Sequence, residues 1–262
     1  MIVQETLKKI RPVSENWLEK ARERLDSLTK PRGSLGMLED LAARFAAIRG
    51  EIPIGLPAKE VIVFAGDHDV VSEGVSAYPQ EVTKLMVRNF LNGGAAINVL
   101  ARCAGAEISI VDIGMKEELF DAPALIARNV RRGAGNIARG PAMTLEEAEK
   151  AVSTGIDMAE SARKRGVGMI ATGEMGIGNT TPSSALFASL LSLSPEEVTG
   201  RGTGLDDKGL IHKMKIIERV LEVNHDRLGE PMSALAAVGG LEIAGICGLC
   251  LGGAANQMAV VV

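Results

Sequence analysis

Aromatic side chains are scarce: one Trp, one Tyr and five Phe, 3% of the 262 residues. The core must therefore be built from Val, Ile, Leu, Ala and Met. Cysteine is nearly as rare, with only Cys103, Cys247 and Cys250. An odd count with no secretory signal ahead of it excludes a disulfide framework, since Lys8, Lys9 and Arg11 interrupt any leading apolar run. Free thiols in a reducing cytoplasm fit this usage. Cys247-x-x-Cys250 has no second CxxC and no nearby His. It reads as small residues packed on a buried helix rather than half of a metal site. That apolar stretch is bounded by Glu242 and Asn256, below the roughly 18–20 apolar residues a membrane span needs. Positive charge is not in excess either. The formal net charge is -4, the isoelectric point lies near 5.6, and Arg131-Arg132 is too short to form a basic patch. A nucleic-acid binder is thereby excluded. Histidine occurs three times with no ligand spacing, so no metal site is expected.

What is plentiful is apolar aliphatic sequence (46% hydrophobic) and glycine, 30 residues. The chain is long enough for one large domain with a small appendage. Residues 1–56 read as a helical N-terminal part. Ser14 is placed to cap a helix running to about Leu28, and Ser34 to cap another. In the second, Leu35, Leu38, Leu41, Ala42, Phe45 and Ile48 recur near the helical period. Residues 57–262 alternate strands and helices. Apolar runs at Val61–Ala65, Ile108–Gly114 and Val167–Ala171 are separated by helical segments at Pro79–Leu91, Ala95–Ala104 and Leu145–Arg165. Such alternation predicts an α/β fold with a parallel sheet and flanking helices, its ligand loops at the carboxyl ends of the strands.

Three loops carry the polar chemistry. Thr172 through Ser184 follows a strand and precedes a helix beginning near Pro182. Gly176, Gly178, Asn179 and Thr180 could close backbone and side-chain donors on a phosphate, with the Glu174 carboxylate alongside. A plain strand-to-helix turn is the alternative. The loop matches neither a Walker A motif nor a dinucleotide fingerprint. Thr199 through Asp207, with Gly202, leads into a helix carrying Lys208, His212, Lys213 and Lys215. Lys213 is a phosphate candidate, or one residue of a solvated basic face. Gly66-Asp67-His68, followed by Ser76, Tyr78 and Pro79, places an acid/base or metal pair beside the only tyrosine. That tyrosine either walls a flat aromatic pocket or simply packs.

Taken together these blocks resemble a known family. They are Lys30-Pro31-Arg32-Gly33-Ser34-Leu35-Gly36, Ala65-Gly66-Asp67-His68, Glu73 through Thr83, Asn89 through Asn98, Gly173 through Thr181, and Gly200-Arg201-Gly202-Thr203-Gly204. The resemblance is to the nicotinate-nucleotide–dimethylbenzimidazole phosphoribosyltransferases and extends over most of the chain. It implies a Rossmann-like domain with a small helical part, a homodimer, and no metal or organic cofactor. It also implies transfer of phosphoribosyl from nicotinate mononucleotide to 5,6-dimethylbenzimidazole, giving α-ribazole 5′-phosphate and nicotinate in cobalamin nucleotide-loop synthesis. By the same likeness Glu174 lies at the nucleotide. Gly176 to Thr180, Gly202 and Lys213 serve phosphate and ribose, and Ser76, Tyr78 and Pro79 lie near the benzimidazole. The family's base is a glutamate in a Gly-Glu-Gly-Thr-Gly-like segment, which does not occur in these residues. The resemblance thus leads to the expectation of a further C-terminal segment, after Val262, carrying the base. The rival expectations are a chain that binds nucleotide without turnover, or a subunit that receives its base from a partner.

Overall fold

The computed structural model describes residues 2–53, 55–119 and 121–262. In chain order the elements are α1 (Ile2–Lys9), α2 (Glu15–Asp26), α3 (Met37–Arg49), β1 (Ala58–Gly66), α4 (Val82–Leu91), α5 (Ala96–Ala104), β2 (Ala106–Gly114), β3 (Leu125–Ala127), α6 (Leu145–Lys164), β4 (Val167–Met175), α7 (Thr180–Leu191), α8 (Pro195–Val198), α9 (Asp207–Val223), α10 (Pro231–Val238), α11 (Leu241–Ala255) and β5 (Ala259–Val261).

The five strands form one sheet in the order β3-β2-β1-β4-β5, every pair parallel. Side chains of β1 alternate with period two between two apolar layers. Ile62 and Phe64 join the cluster under α6, α10 and α11, whereas Val61, Val63 and Ala65 face Val87, Phe90 and Leu91 of α4. Both faces of the sheet are thus covered, which is why its strands read as near-continuous apolar runs. The α6–α11 contact is made by small residues. A Cβ on Gly248 would lie 1.8 Å from the Val152 carbonyl oxygen, and one on Gly155 2.0 Å from that of Gly245.

Four expectations from sequence need correcting. The segment Thr172–Glu174 belongs to β4 rather than to the loop after it, because the ladder with β1 continues through Phe64↔Glu174 and Ala65↔Met175. Ser14 does cap α2, but Ser34 caps nothing. Gly36 takes the position before α3, and the Glu39 carboxylate accepts from the Leu35 N–H at 3.0 Å and pairs with Lys30 at 2.8 Å. Within α3 the leucine stripe points outward. The helix instead buries Ala43, Ala46 and Ala47, with Ala43 and Ala46 clustering against Leu18, Ala21 and Leu25 of α2 because alanines allow close approach. The Cys247-x-x-Cys250 stretch is helical as expected. Gly245, Gly248 and Leu249 are buried there, however, and Cys247 is exposed.

Candidate active site

Chain connections leave β1 in one direction toward β2 and β3, then return through α6 to β4 on its other side. The carboxyl ends of β1 and β4 therefore flank a topological switch point, where open α/β sheets hold ligands. Two of the three polar loops singled out in the sequence start there, Asp67-His68 after β1 and Gly176–Asn179 after β4.

Glu174, the penultimate residue of β4, stays open to solvent in this crevice, and its Oε2 accepts from the Asn179 amide. Partial desolvation by the surrounding protein and the nearby Glu242 carboxylate push its pKa up to about 7, against the opposing pull of His68 and Asn179. Asn179 precedes α7 but makes no side-chain cap, its amide being turned onto Glu174 instead. Loop N–H groups of Ile177, Asn179 and Thr181 are already committed, to Thr83 Oγ1 (3.1 Å), Gly176 O (3.1 Å) and Gly178 O (3.0 Å). Backbone donation from this loop is accordingly narrower than its glycine content suggested.

Lys213 is fully buried, not part of a solvated face. From α9 its Nζ donates to Thr180 Oγ1 (2.6 Å) and Gly200 O (3.2 Å), and no carboxylate pairs with it among the described residues. Burial alone lowers its pKa to about 8. Gly202 closes over the same spot at φ +52°. A Cβ there would lie 2.7 Å from Thr180 Oγ1 and 3.1 Å from Lys213 Nζ. An unneutralised ammonium beside the N-terminus of the twelve-residue α7 is an anion site in the making.

Ser76, Tyr78 and Pro79 lie on the loop beyond the short 3-10 turn Asp69–Glu73. Tyr78 is 54% exposed, so it is not a packing residue of this chain's interior. Thr203 stitches this loop to the Gly202 loop: its hydroxyl lies 3.2 Å from Ser76 Oγ and accepts from the Ala77 N–H at 2.8 Å. Sequence-selected residues from three separate segments thus meet on one rim. Asp67 and His68 do not offer themselves to a metal. Asp67 Oδ2 accepts from the Lys116 N–H (2.8 Å), and His68 Nε2 lies 2.8 Å from Glu242 Oε1. Burial raises the Asp67 carboxyl pKa despite that N–H. Burial alone would depress the His68 imidazolium, but the carboxylates of Glu242, Asp67 and Glu174 outweigh it and hold its pKa above the ordinary value.

Glu242 is the residue that the sequence reading passed over, using it only to mark the end of an apolar stretch. A lone acid in the first turn of an otherwise apolar helix was the available signal, because a buried carboxylate requires a partner.

The sequence matches a family model described as phosphoribosyltransferase over residues 10–262. A nicotinate-nucleotide–dimethylbenzimidazole phosphoribosyltransferase of Geobacter sp. (strain M21) is 51% identical over 261 residues, covering 100% of this chain and 75% of the relative. That of Geobacter sulfurreducens is 52% identical, with 74% of its length covered. The crystal structure of CobT from Thermus thermophilus superposes with a TM-score of 0.86 at 46% identity, over 94% of this chain and 73% of that one. With half its residues shared along its whole length, and the α/β sheet and helices in common, the chain belongs to the nicotinate-nucleotide–dimethylbenzimidazole phosphoribosyltransferase family.

Proposed function

We propose that the chain transfers the phosphoribosyl group of nicotinate mononucleotide to 5,6-dimethylbenzimidazole, releasing nicotinate and α-ribazole 5′-phosphate in cobalamin nucleotide-loop synthesis. The bond from C1′ to the nicotinate nitrogen breaks, and one from C1′ to a benzimidazole nitrogen forms. The proton on the other benzimidazole nitrogen passes to a base. Nicotinate leaves from a cationic pyridinium, so it needs little acid assistance. The ribose then carries oxocarbenium character, which an adjacent carboxylate stabilises. Glu174 is that carboxylate in this reading, open to the crevice and tethered by Asn179. Lys213, Thr180, Gly202 and the Gly176–Gly178 turn receive the 5′-phosphate, and Ser76, Tyr78 and Pro79 wall the benzimidazole.

The observation that carries this reading is the buried ammonium of Lys213, which has no carboxylate partner among the described residues and sits against Thr180 and Gly202. A cation kept at this cost requires an anion to complete it. Calorimetry tests it. Lys213→Met should weaken nicotinate mononucleotide binding by tenfold or more, about 1.4 kcal/mol, and leave the phosphate-free nicotinate riboside unaffected. An equal loss for both ligands would refute the assignment. A product assay by mass then decides where the base lies. α-Ribazole phosphate formation means that a base is present in the chain or arrives from a neighbouring copy. Nucleotide binding without product assigns the chain the binding half of the reaction.

Residues 1–56 act as the helical part of a small domain and 57–262 as the nucleotide-binding domain, supported by the separate α2–α3 core. A homodimer is proposed as well, and the exposed apolar row Phe187, Leu190 and Leu191 of α7 supports it; sedimentation equilibrium tests it. Placement in the cytoplasm is consistent with three unpaired cysteines.

A further inference from the structure

Among the described residues, His68 and Glu242 make the one ion pair whose two side chains are both enclosed, at 2% and 0% exposure. Three glycines make room for it. A Cβ on Gly240 would lie 2.5 Å from His68 Cε1, one on Gly176 3.1 Å from His68 Nε2, and one on Gly66 2.9 Å from Glu242 Oε2. That Oε2 has no hydrogen-bond partner. Burying such a pair stabilises a fold less than apolar residues of equal volume do, so the pair invites a functional explanation. Its surroundings supply one. The loop that passes over the imidazole, Gly176, begins two residues after Glu174, and His68 and Glu242 both act electrostatically on Glu174.

We propose that His68 and Glu242 form a buried positioning pair, in which the imidazolium offsets the Glu242 charge and thereby leaves Glu174 able to ionise at neutral pH for its work on the ribose. The proposal rests on the role assigned to Glu174 above. Two neighbouring carboxylates, one enclosed and the other partly desolvated in the crevice, cannot both ionise freely. Glu242 on α11 would drive Glu174 on β4 to protonate, were His68 not between them in charge. The other groups acting on these three are Asp67, which raises the His68 pKa, the Asn179 amide on Glu174, and the Lys116 N–H on Asp67. Removing the histidine alone should therefore do more to Glu174 than removing the whole pair.

The full chain, labelled with 13C at the glutamate carboxyls, tests this without ligand. The Glu174 resonance is assigned by its loss in Glu174→Gln. In His68→Gln the Glu174 titration midpoint should rise by about one pH unit or more. In His68→Gln/Glu242→Gln it should return close to the wild-type midpoint. A folded His68→Gln with an unmoved midpoint, or a double variant that stays high, overturns the proposal. Should His68→Gln fail to fold, the wild-type imidazole 15N signals decide. With only three histidines, His212→Asn and His225→Asn leave His68 assigned. His68 protonated on both nitrogens at pH 7 supports the pair, and a neutral ring overturns it. None of these readings requires turnover, so a failed transfer assay would count against the chemistry of Glu174 and not against the coupling.

Discussion

Replacing Lys213 with Met should stabilise the free protein while abolishing its response to phosphate. Burial takes the Lys213 pKa from its ordinary 10.5 to about 8. At about 1.4 kcal/mol per pKa unit, this amounts to about 3 kcal/mol of cost for holding the charge at neutral pH. Methionine fills similar space without that cost. The variant gives up the bonds to Thr180 Oγ1 and Gly200 O. Both acceptors lie on exposed residues that water can satisfy, so the loss is about 1 kcal/mol for each at most. The net gain is about 1 kcal/mol or more, and for a chain of this size each kcal/mol raises Tm by about 2–4 °C. Scanning calorimetry in phosphate-free buffer at pH 7 measures it, and a series with millimolar inorganic phosphate should raise Tm in the wild type alone. The sign with pH follows from the lowered pKa. Between about pH 8 and 10.5 the unfolded chain binds more protons than the folded one, so wild-type stability rises across that window. The gap to Lys213→Met should close there. A variant that melts several degrees below wild type at pH 7, or that keeps the phosphate response, would refute the reasoning.

Two further substitutions probe other parts of the structure. Gly248→Ala drives a methyl group to within 1.8 Å of a backbone oxygen on α6, where nothing flexible can yield. We expect a loss of about 3 kcal/mol or more by denaturant titration, against a near-neutral Gly229→Ala, whose Cβ would meet nothing within 4 Å. Thr203→Val unstitches the Ser76 loop from the Gly202 loop. Its expected signature is a several-fold weaker affinity for the benzimidazole, near-wild-type nucleotide binding, and a stability change of about 1 kcal/mol or less, all readable by calorimetry.

The sheet and its loops were legible in the sequence because short continuous apolar runs and glycine-rich turns are local signals. β1, β2 and β4 stand where Val61, Ile108 and Val167 begin such runs, and the polar loops at Gly66 and Gly176 do follow them. What periodicity could not supply was which helical face is buried. The leucines of α3 mark a helix correctly and yet face outward, because packing by alanines was open to the chain and won. β3, three residues long, lies below the length at which a pattern can be recognised. At the site, residue types were legible and partnerships were not. Lys213 and Thr180 are 33 positions apart, and His68 and Glu242 are 174 apart. Contacts at such separations are products of the topology, with no trace in local spacing. Solvation was equally hidden, since a helix with three lysines gives no hint that only Lys213 turns inward.

Helix α11 belongs at once to the scaffold and to the crevice at the β1–β4 switch point. Its glycine face fixes how near it lies to α6, while its first turn carries Glu242 to the edge of the crevice. A side chain forced in at Gly248 or Gly252 pushes α11 away from α6 and shifts the helix whose first turn holds Glu242. By the coupling proposed for Glu242, protein engineers who tighten or refill that seam for heat tolerance would also retune an acid–base setting, and variants selected by melting point alone would differ in the pH at which they work.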